Sequence, residues 1–383
     1  MKKRILFVIR DLRFGGIEKS LIEVLDILDY NKYDVELYLR SNNLSLKSYL
    51  NENVQLFVNE TSQKETIVLR FLSAFSRLLH KLGFDYYSRK TYEIYKNKYT
   101  NLIENRQKKY FKSEYDVVVC YSQGYTARLV SDIVKAKKKI CFFHESSDQY
   151  HKMNSKSFSY FDYIYTVNAN VTDILKNNYP DSSSKFRTGF NYLNYEKVRV
   201  MADENVALPV AKTVLCTVGR FSQEKGFDIA VKCAKQLSDR GIDFIWLFVG
   251  DGPEYDMIKA MVDDLKISDK IIFAGFQNNP FKYMKMADLY ISPSRMEAYP
   301  MTLLESAVLL VPIVSTKTEG GINFNDNIAE IKLCEINEYD LSDAIIELLN
   351  NSDKIEFYTN LIKSIDWIEY KSGFVSLWEN ILN

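Results

Sequence analysis

Twice along this chain a short, uninterrupted apolar run ends in a glycine-bearing turn and passes directly into a segment of helical period. The first run is Arg4-Ile-Leu-Phe-Val-Ile9, followed by Gly15-Gly16 and then Leu21, Ile22, Leu25 and Leu28 at helical spacing. The second is Thr213-Val-Leu-Cys-Thr-Val218, followed by Gly219, a polar turn, and Ile229, Cys233 and Leu237. A strand with no polar alternation has no face to give to water, so it must be covered on both sides. Helices alternating with such strands make the sheet parallel.

Further runs extend both series. Strands are expected near 35–39, 55–58, 116–120, 139–143 and 163–167, and again near 243–249, 270–274, 288–291 and 312–314. The alternation breaks over 191–212, a polar stretch that includes Leu208-Pro209. At 383 residues the chain exceeds the length over which one core keeps growing. The expected fold is therefore α/β, two Rossmann-like doubly wound domains over 1–192 and 193–365. Residues 366–383 form an amphipathic helix expected to pack back on the first domain. Ligands of such sheets bind at the carboxyl ends of the strands, so the two sites should face each other across a cleft.

Composition removes several function classes. Fifty basic residues balance fifty acidic ones, which gives no global attraction to nucleic acid. Cys120, Cys141, Cys216, Cys233 and Cys334 are scattered, three of them within apolar runs, and read as reduced buried thiols. Three histidines without close cysteine spacing do not suggest a zinc site, and no metal or other cofactor is expected. The basic start Lys2-Lys3-Arg4 precedes only five apolar residues before Arg10-Asp11, too short for a signal peptide core. No uncharged run is long enough to span a bilayer. A cytoplasmic location is expected, peripheral on the inner face of the cell membrane if lipid is bound.

One segment interrupts the alternation. Residues 61–112 read as helical and carry twelve Lys and Arg against four Asp and Glu, a net charge of +8. Ile67, Val68, Phe71, Leu72, Phe75, Leu78, Leu79 and Leu82 form one stripe flanked by Arg70, Arg77 and Lys81. The plainer reading is an extra helix packed on the first domain. The alternative is a helix in an anionic membrane surface, where each basic group contributes on the order of 1 kcal/mol.

The second half holds the chemistry. After Val218 comes Gly219-Arg220-Phe-Ser-Gln-Glu224-Lys225-Gly226. It places two cations five residues apart at a strand-to-helix turn. A diphosphate suits such a place, because helix amides and a guanidinium both favour phosphate oxygens. An ordinary solvated turn would look the same in isolation. Phe273-Ala-Gly275-Phe-Gln277 ends a later strand, where Gly275 permits close approach of a flat ligand such as a base. The most informative stretch is Ser292-Pro-Ser-Arg-Met-Glu297-Ala-Tyr-Pro-Met-Thr-Leu-Leu-Glu305. Glu297 is expected in the loop beyond a strand and Glu305 about a turn into the next helix. The free amides between them face the same cleft as Arg220 and Lys225. One glutamate here would be an ordinary helix N-terminal charge. Two, in register with a cationic pair, fit a ligand carrying both phosphates and hydroxyls.

Glu297 and Glu305 resemble the E-x7-E signature of the family-four retaining glycosyltransferases, which have the two-domain GT-B fold. Gly219-Arg220 with Glu224-Lys225-Gly226 is similar to their G-R-x-x-x-E-K-G segment. Gly15-Gly16-Ile-Glu18-Lys19 looks like their N-terminal glycine loop, and His144 falls where their active-site histidine ends a strand. These landmarks run in order over most of the chain.

The resemblance implies roles. Arg220 and Lys225 would neutralise the donor diphosphate, Glu305 would hold the ribose, and Glu297 and His144 would contact the transferred sugar. Gly15, Gly16, Gln277, Met301 and Thr302 would complete the substrate site. It also implies a UDP- or GDP-linked sugar donor and a glycan or lipid-linked acceptor of a surface-polysaccharide pathway. The absence of an Asp-x-Asp motif after a strand agrees with a family that uses side-chain cations in place of a metal ion. Two positions depart from the pattern. Leu310 stands where a glycine is common, and Gly320-Gly321-Ile-Asn-Phe324 lacks the usual acidic residue.

Other readings are a nucleotide-sugar epimerase of the same architecture, or a catalytically silent sugar-nucleotide-binding subunit. A nicotinamide-dependent dehydrogenase is disfavoured, since the first turn lacks G-x-G-x-x-G.

Overall fold

The computed structural model describes residues 1–59, 75, 110, 111, 113–122, 124–145, 155–206 and 213–383. The basic segment expected over 61–112 therefore lies outside the described residues except for Phe75, Tyr110 and Phe111, and Leu208-Pro209 lies outside them too.

Two sheets account for the chain, and every strand pairing is parallel. The first contains β1 (Lys3–Ile9), β2 (Tyr33–Leu39), β3 (Gln55–Val58), β4 (Tyr115–Cys120), β5 (Ala136–Phe143), β6 (Tyr163–Thr166) and β7 (Phe186–Thr188). Their order across the sheet is β3-β2-β1-β4-β5-β6-β7. The second contains β8 (Thr213–Val218), β9 (Phe244–Val249), β10 (Ile271–Gly275), β11 (Leu289–Ser292), β12 (Ile313–Thr316) and β13 (Lys332–Cys334), in the order β10-β9-β8-β11-β12-β13. Ile5 to Ile9 and all six residues of β9 are buried, as apolar runs covered on both faces must be. The structure adds two strands that the sequence did not predict, β7 and β13. Each is three residues long and lies at a sheet edge, where Arg187 and Lys332 interrupt any apolar run.

The last helix, Trp367–Leu382, starts among the core residues of the second sheet and ends in that of the first. Trp378 stacks on Phe142 at 5.0 Å and meets Phe7 at 5.7 Å. Truncating a buried aromatic of this size costs about 3–5 kcal/mol. The helix's carboxyl end is met by cations: Lys138 Nζ donates to the Ile381 carbonyl at 2.9 Å and Lys3 Nζ to that of Leu382 at 3.3 Å. All five cysteines are buried free thiols. Among the described residues no helix is long and apolar enough to cross a membrane.

The two positions that depart from the family pattern have distinct local structures. Helix Met301–Val308 ends in a Schellman motif, with Leu310 N–H donating to Ala307 O and Val311 N–H to Ser306 O, both at 3.1 Å. This motif needs a left-handed residue at Leu310, whose φ is +61°, so a side chain occupies a site that favours glycine. The segment around Gly320-Gly321 is a helix, Glu319–Asn327, capped by Thr318 Oγ1 accepting from Gly321 N–H at 3.0 Å. A Cβ on Gly320 would lie 2.5 Å from Pro300 Cδ, so glycine lets this helix start directly against the Glu297–Pro300 loop.

Near the domain boundary, Glu23 on helix Gly16–Ile27 accepts a backbone hydrogen bond from Asn194. Burial pushes its carboxyl up to about 7, with Lys197 opposing and Asp26 reinforcing the shift.

Two outcomes are expected. Leu310→Gly should raise unfolding free energy by about 0.5–1 kcal/mol, the relieved strain exceeding the added chain entropy; chemical denaturation checks it. For Glu23, the unfolded chain releases its proton near the ordinary value of 4.5 and the folded chain only near 7, so stability falls as pH rises between them. Glu23→Gln should therefore unfold at a higher temperature than the parent at pH 8 and at nearly the same temperature at pH 4.5. A gap independent of pH would overturn that account.

Candidate active site

Strand order reverses direction beside β1 and beside β8, and a doubly wound sheet opens its crevice at such points. The loop after β1 brings Phe14, Gly15, Gly16 and Lys19 to one side of a cavity of about 450 Å³. The loops after β8, β10 and β11 bring Arg220, Lys225, Gln277, Glu297, Met301, Thr302 and Glu305 to the other. Nine of the ten residues proposed from sequence thus line one cavity between the two sheets.

The loops of the second domain are fixed to one another by backbone and charge. Gly226 has φ +66° and ends the turn before helix Phe227–Asp239; a Cβ there would lie 2.1 Å from Pro293 O. That contact requires glycine on both counts. Arg295 then clamps the two loops, donating to both carboxylate oxygens of Asp228 at 2.6 Å and to Gln223 O at 3.0 Å. Arg295 N–H also donates to Glu224 O at 2.8 Å. The bidentate geometry is the strong form of an ion pair, and it holds Asp228 below the usual carboxylate range against the cost of burial.

On this frame the charged side chains take fixed positions. Lys225 forms an ion pair with Glu297, and Glu297 Oε1 also accepts from Ser294 Oγ at 3.1 Å. Glu305, in the second turn of helix Met301–Val308, is 1% exposed. One of its oxygens meets Lys19 Nζ from the first domain at 3.5 Å, and the other has no hydrogen-bond partner among the described residues. Arg220 is exposed, and among the described residues no acidic side chain pairs with it. Gln277 donates to Ala274 O at 2.6 Å. Pro300 is the N-cap of its helix and carries no N–H, so the free amides of the helix begin at Met301. The cavity therefore holds an unneutralised guanidinium, two paired ammonium groups, and a buried carboxylate oxygen without a hydrogen bond among the described residues. Such a set can bind an anion at one end and hydroxyl groups at the other.

His144 is the exception. It follows β5, packs on Tyr121 at 4.8 Å and Phe142 at 5.9 Å between ring centroids, and is not among the residues lining the cavity. Burial pushes its imidazole down to about 3, so it stays neutral at physiological pH. Neither ring nitrogen has a partner among the described residues. Among the described residues no three His, Cys, Asp or Glu side chains are grouped to hold a metal ion.

Several contributors escaped the sequence. Arg295 lies within the informative stretch but has no spacing relation to Asp228 that would reveal their pairing. Tyr299 OH is 2.7 Å from Tyr370 OH on the last helix, and Asn168 reaches Ala298 O from the first domain at 3.0 Å. Phe14 meets Phe276 edge-on at 4.9 Å across the cleft. Each pairing joins residues more than sixty positions apart, and nothing local marks it.

Comparison with known proteins agrees with this architecture. Residues 202–365 match the family described as glycosyl transferases group 1. A lipopolysaccharide core biosynthesis glycosyltransferase, LpsE of Rhizobium meliloti, is 32% identical over 124 residues, which span 32% of this chain and 35% of that protein. An N-acetylgalactosamine-N,N'-diacetylbacillosaminyl-diphospho-undecaprenol 4-alpha-N-acetylgalactosaminyltransferase of Campylobacter jejuni is 22% identical, over 95% of this chain and 94% of its own length. Among solved structures, TarM superposes with a TM-score of 0.70 at 13% identity, covering 100% of this chain and 99% of that one. Anabaena HepE in complex with UDP superposes with a TM-score of 0.66 at 13% identity, covering 99% and 100%. The family match spans the second domain, residues 202–365, and the solved structures share the two-sheet GT-B architecture of the whole chain.

Proposed function

We propose that the chain transfers a sugar, with retention of anomeric configuration, from a nucleoside-diphosphate-sugar to a glycan or lipid-linked acceptor in surface-polysaccharide assembly. The observation that carries this reading is Arg220: an exposed guanidinium without an acidic partner among the described residues, facing the same cavity as Lys225, Glu297 and Glu305. Breaking a sugar–phosphate bond builds negative charge on the diphosphate and positive charge on the ring. Fixed cations at the leaving group lower that barrier by several kcal/mol. Glu305 takes the ribose hydroxyls, which satisfy its open oxygen. Glu297 holds Lys225 in place and meets hydroxyls of the sugar.

His144, neutral and without a hydrogen-bond partner among the described residues, is assigned to the sugar side of the cleft. Gly15 and Gly16 carry the first domain, 1–192, to the acceptor side; the second, 193–365, takes the donor. UDP is bound by the HepE structure, and the name of the Campylobacter relative describes an undecaprenol-linked acceptor; both support these assignments by similarity. The net +8 of segment 61–112 further supports peripheral attachment to anionic lipid at the inner membrane face, where such an acceptor would be presented.

Three measurements test this. A screen of UDP- and GDP-sugars with mass detection of the product should find one donor consumed and one sugar added to an acceptor; no turnover with any of them overturns the assignment. In calorimetry with UDP and GDP, Arg220→Ala and Lys225→Ala should each weaken binding on the order of tenfold or more, the loss expected for one charge-assisted hydrogen bond. Undiminished binding would remove the diphosphate assignment. The protein should co-sediment with vesicles containing phosphatidylserine and be released by about 0.5 M salt, since screening shortens the reach of each charge. Equal binding to neutral vesicles would exclude an electrostatic attachment.

A further inference from the structure

The loop that carries Glu297 is held at three successive residues. Glu297 O accepts from Gly320 N–H at 2.7 Å, within the second domain. Tyr299 OH is 2.7 Å from Tyr370 OH, on the helix that crosses to the first domain, and Tyr370 OH in turn donates to Asn191 O. Between them, Ala298 O accepts at 3.0 Å from Asn168 Nδ2, which belongs to the first sheet's β6-to-helix turn. The same amide nitrogen donates to Glu319 O at 3.2 Å, at the start of the helix whose Gly320 amide holds Glu297 O.

Asn168 is 1% exposed, and its amide is fully used. Oδ1 accepts from Asn170 N–H at 2.9 Å and caps helix Ala169–Asn178, while Nδ2 gives its hydrogens to the two carbonyls across the cleft. Capping alone would be served by serine or aspartate as well as by asparagine. Only an amide both caps its own helix and donates two hydrogen bonds from the same buried position. When the domains part, both carbonyls lose this donor and the Ala298 peptide is freed. The Ala298 peptide, next to Glu297, therefore has a tether that depends on closure of the cleft, in addition to the bonds that Lys225, Ser294 and Gly320 make to Glu297 from within the second domain.

We propose that Asn168 is a positioning residue for transfer, fixing the Glu297 loop only when the first domain has closed on the second; this rests on the transferase reading above. Arg220, Lys225 and Glu305, proposed above to hold the nucleotide, all belong to the second domain, and none of them bonds to Asn168. Chemistry at the sugar depends on it, because small misplacements at the reacting centre are costly to rate. The open enzyme would hold its donor without committing it.

The test uses the full chain with Asn168→Asp and Asn168→Ser, both of which keep a helix cap and remove the amide donor. With the donor found by the screen, kcat should fall on the order of tenfold to a hundredfold in both variants. Affinity for the nucleoside diphosphate alone, by calorimetry, should change by less than about threefold, a separation that a general loss of structure would not give. Small-angle scattering of the ligand-free proteins should show a larger radius of gyration in the variants. Unchanged kcat in both variants overturns the proposal, as does a fall in nucleotide affinity in step with kcat. If the parent transfers no sugar, the transferase reading falls, and scattering still decides this point: equal radii in all three proteins would refute closure through Asn168.

Discussion

The loop between Ser292 and Met301 is the place on which the remaining structure converges. It leaves β11 with Pro293 O already against Gly226, which leaves no room there for a side chain. Arg295 then ties it to Asp228, Glu297 to Lys225, Ala298 to Asn168 and Tyr299 to Tyr370. None of these bonds is worth much alone, since a surface pair contributes about 0–1 kcal/mol and a neutral hydrogen bond about 1 kcal/mol. Their value is geometric. Eight residues without a strand or helix of their own would otherwise sample many conformations, and each tether removes a part of that freedom before a ligand arrives.

The electrostatics of the cleft follow from the same arrangement. Among the described residues that line the cavity, every cation is paired except Arg220. Lys225 is held by Glu297 and Lys19 by Glu305, while Arg295 is spent on Asp228. A buried carboxylate oxygen without a partner is expensive, and Glu305 has one. The site is thus left unsatisfied at two defined points, one positive and one negative, at a spacing that the second domain alone determines. Lys19, from the first domain, adds a contact to Glu305 at 3.5 Å, so charge couples the first domain to the second.

The last helix explains why two separately built sheets behave as a pair. Its apolar face is split: Trp367 belongs to the second core, while Phe374, Trp378, Ile381 and Leu382 belong to the first. Aromatic stacking of Trp378 on Phe142 buries the far end, and Tyr370 stands at the crossing point, where it touches both Asn191 and Tyr299. Any motion of one domain on the other has to be accommodated at this helix and at the linker that precedes β8.

Periodicity was enough to read the architecture. Continuous apolar runs such as Ile5–Ile9 can only be doubly covered strands, and the spacing of Arg220, Lys225, Glu297 and Glu305 about two strand–helix turns singled out four charged residues that line one cavity. These features are local, and local physics is written in consecutive residues. The short edge strands β7 and β13 escaped because three residues with one polar member carry no period. The left-handed Leu310 could be noticed as an odd residue but not as a Schellman cap until its hydrogen bonds were seen. What only the tertiary structure decided was which distant groups meet: Asn168 with Ala298, Arg295 with Asp228, and His144 packed on Tyr121 and not among the residues lining the cavity. Those contacts arise from the packing of two cores and the helix between them, and packing is a property of the whole chain.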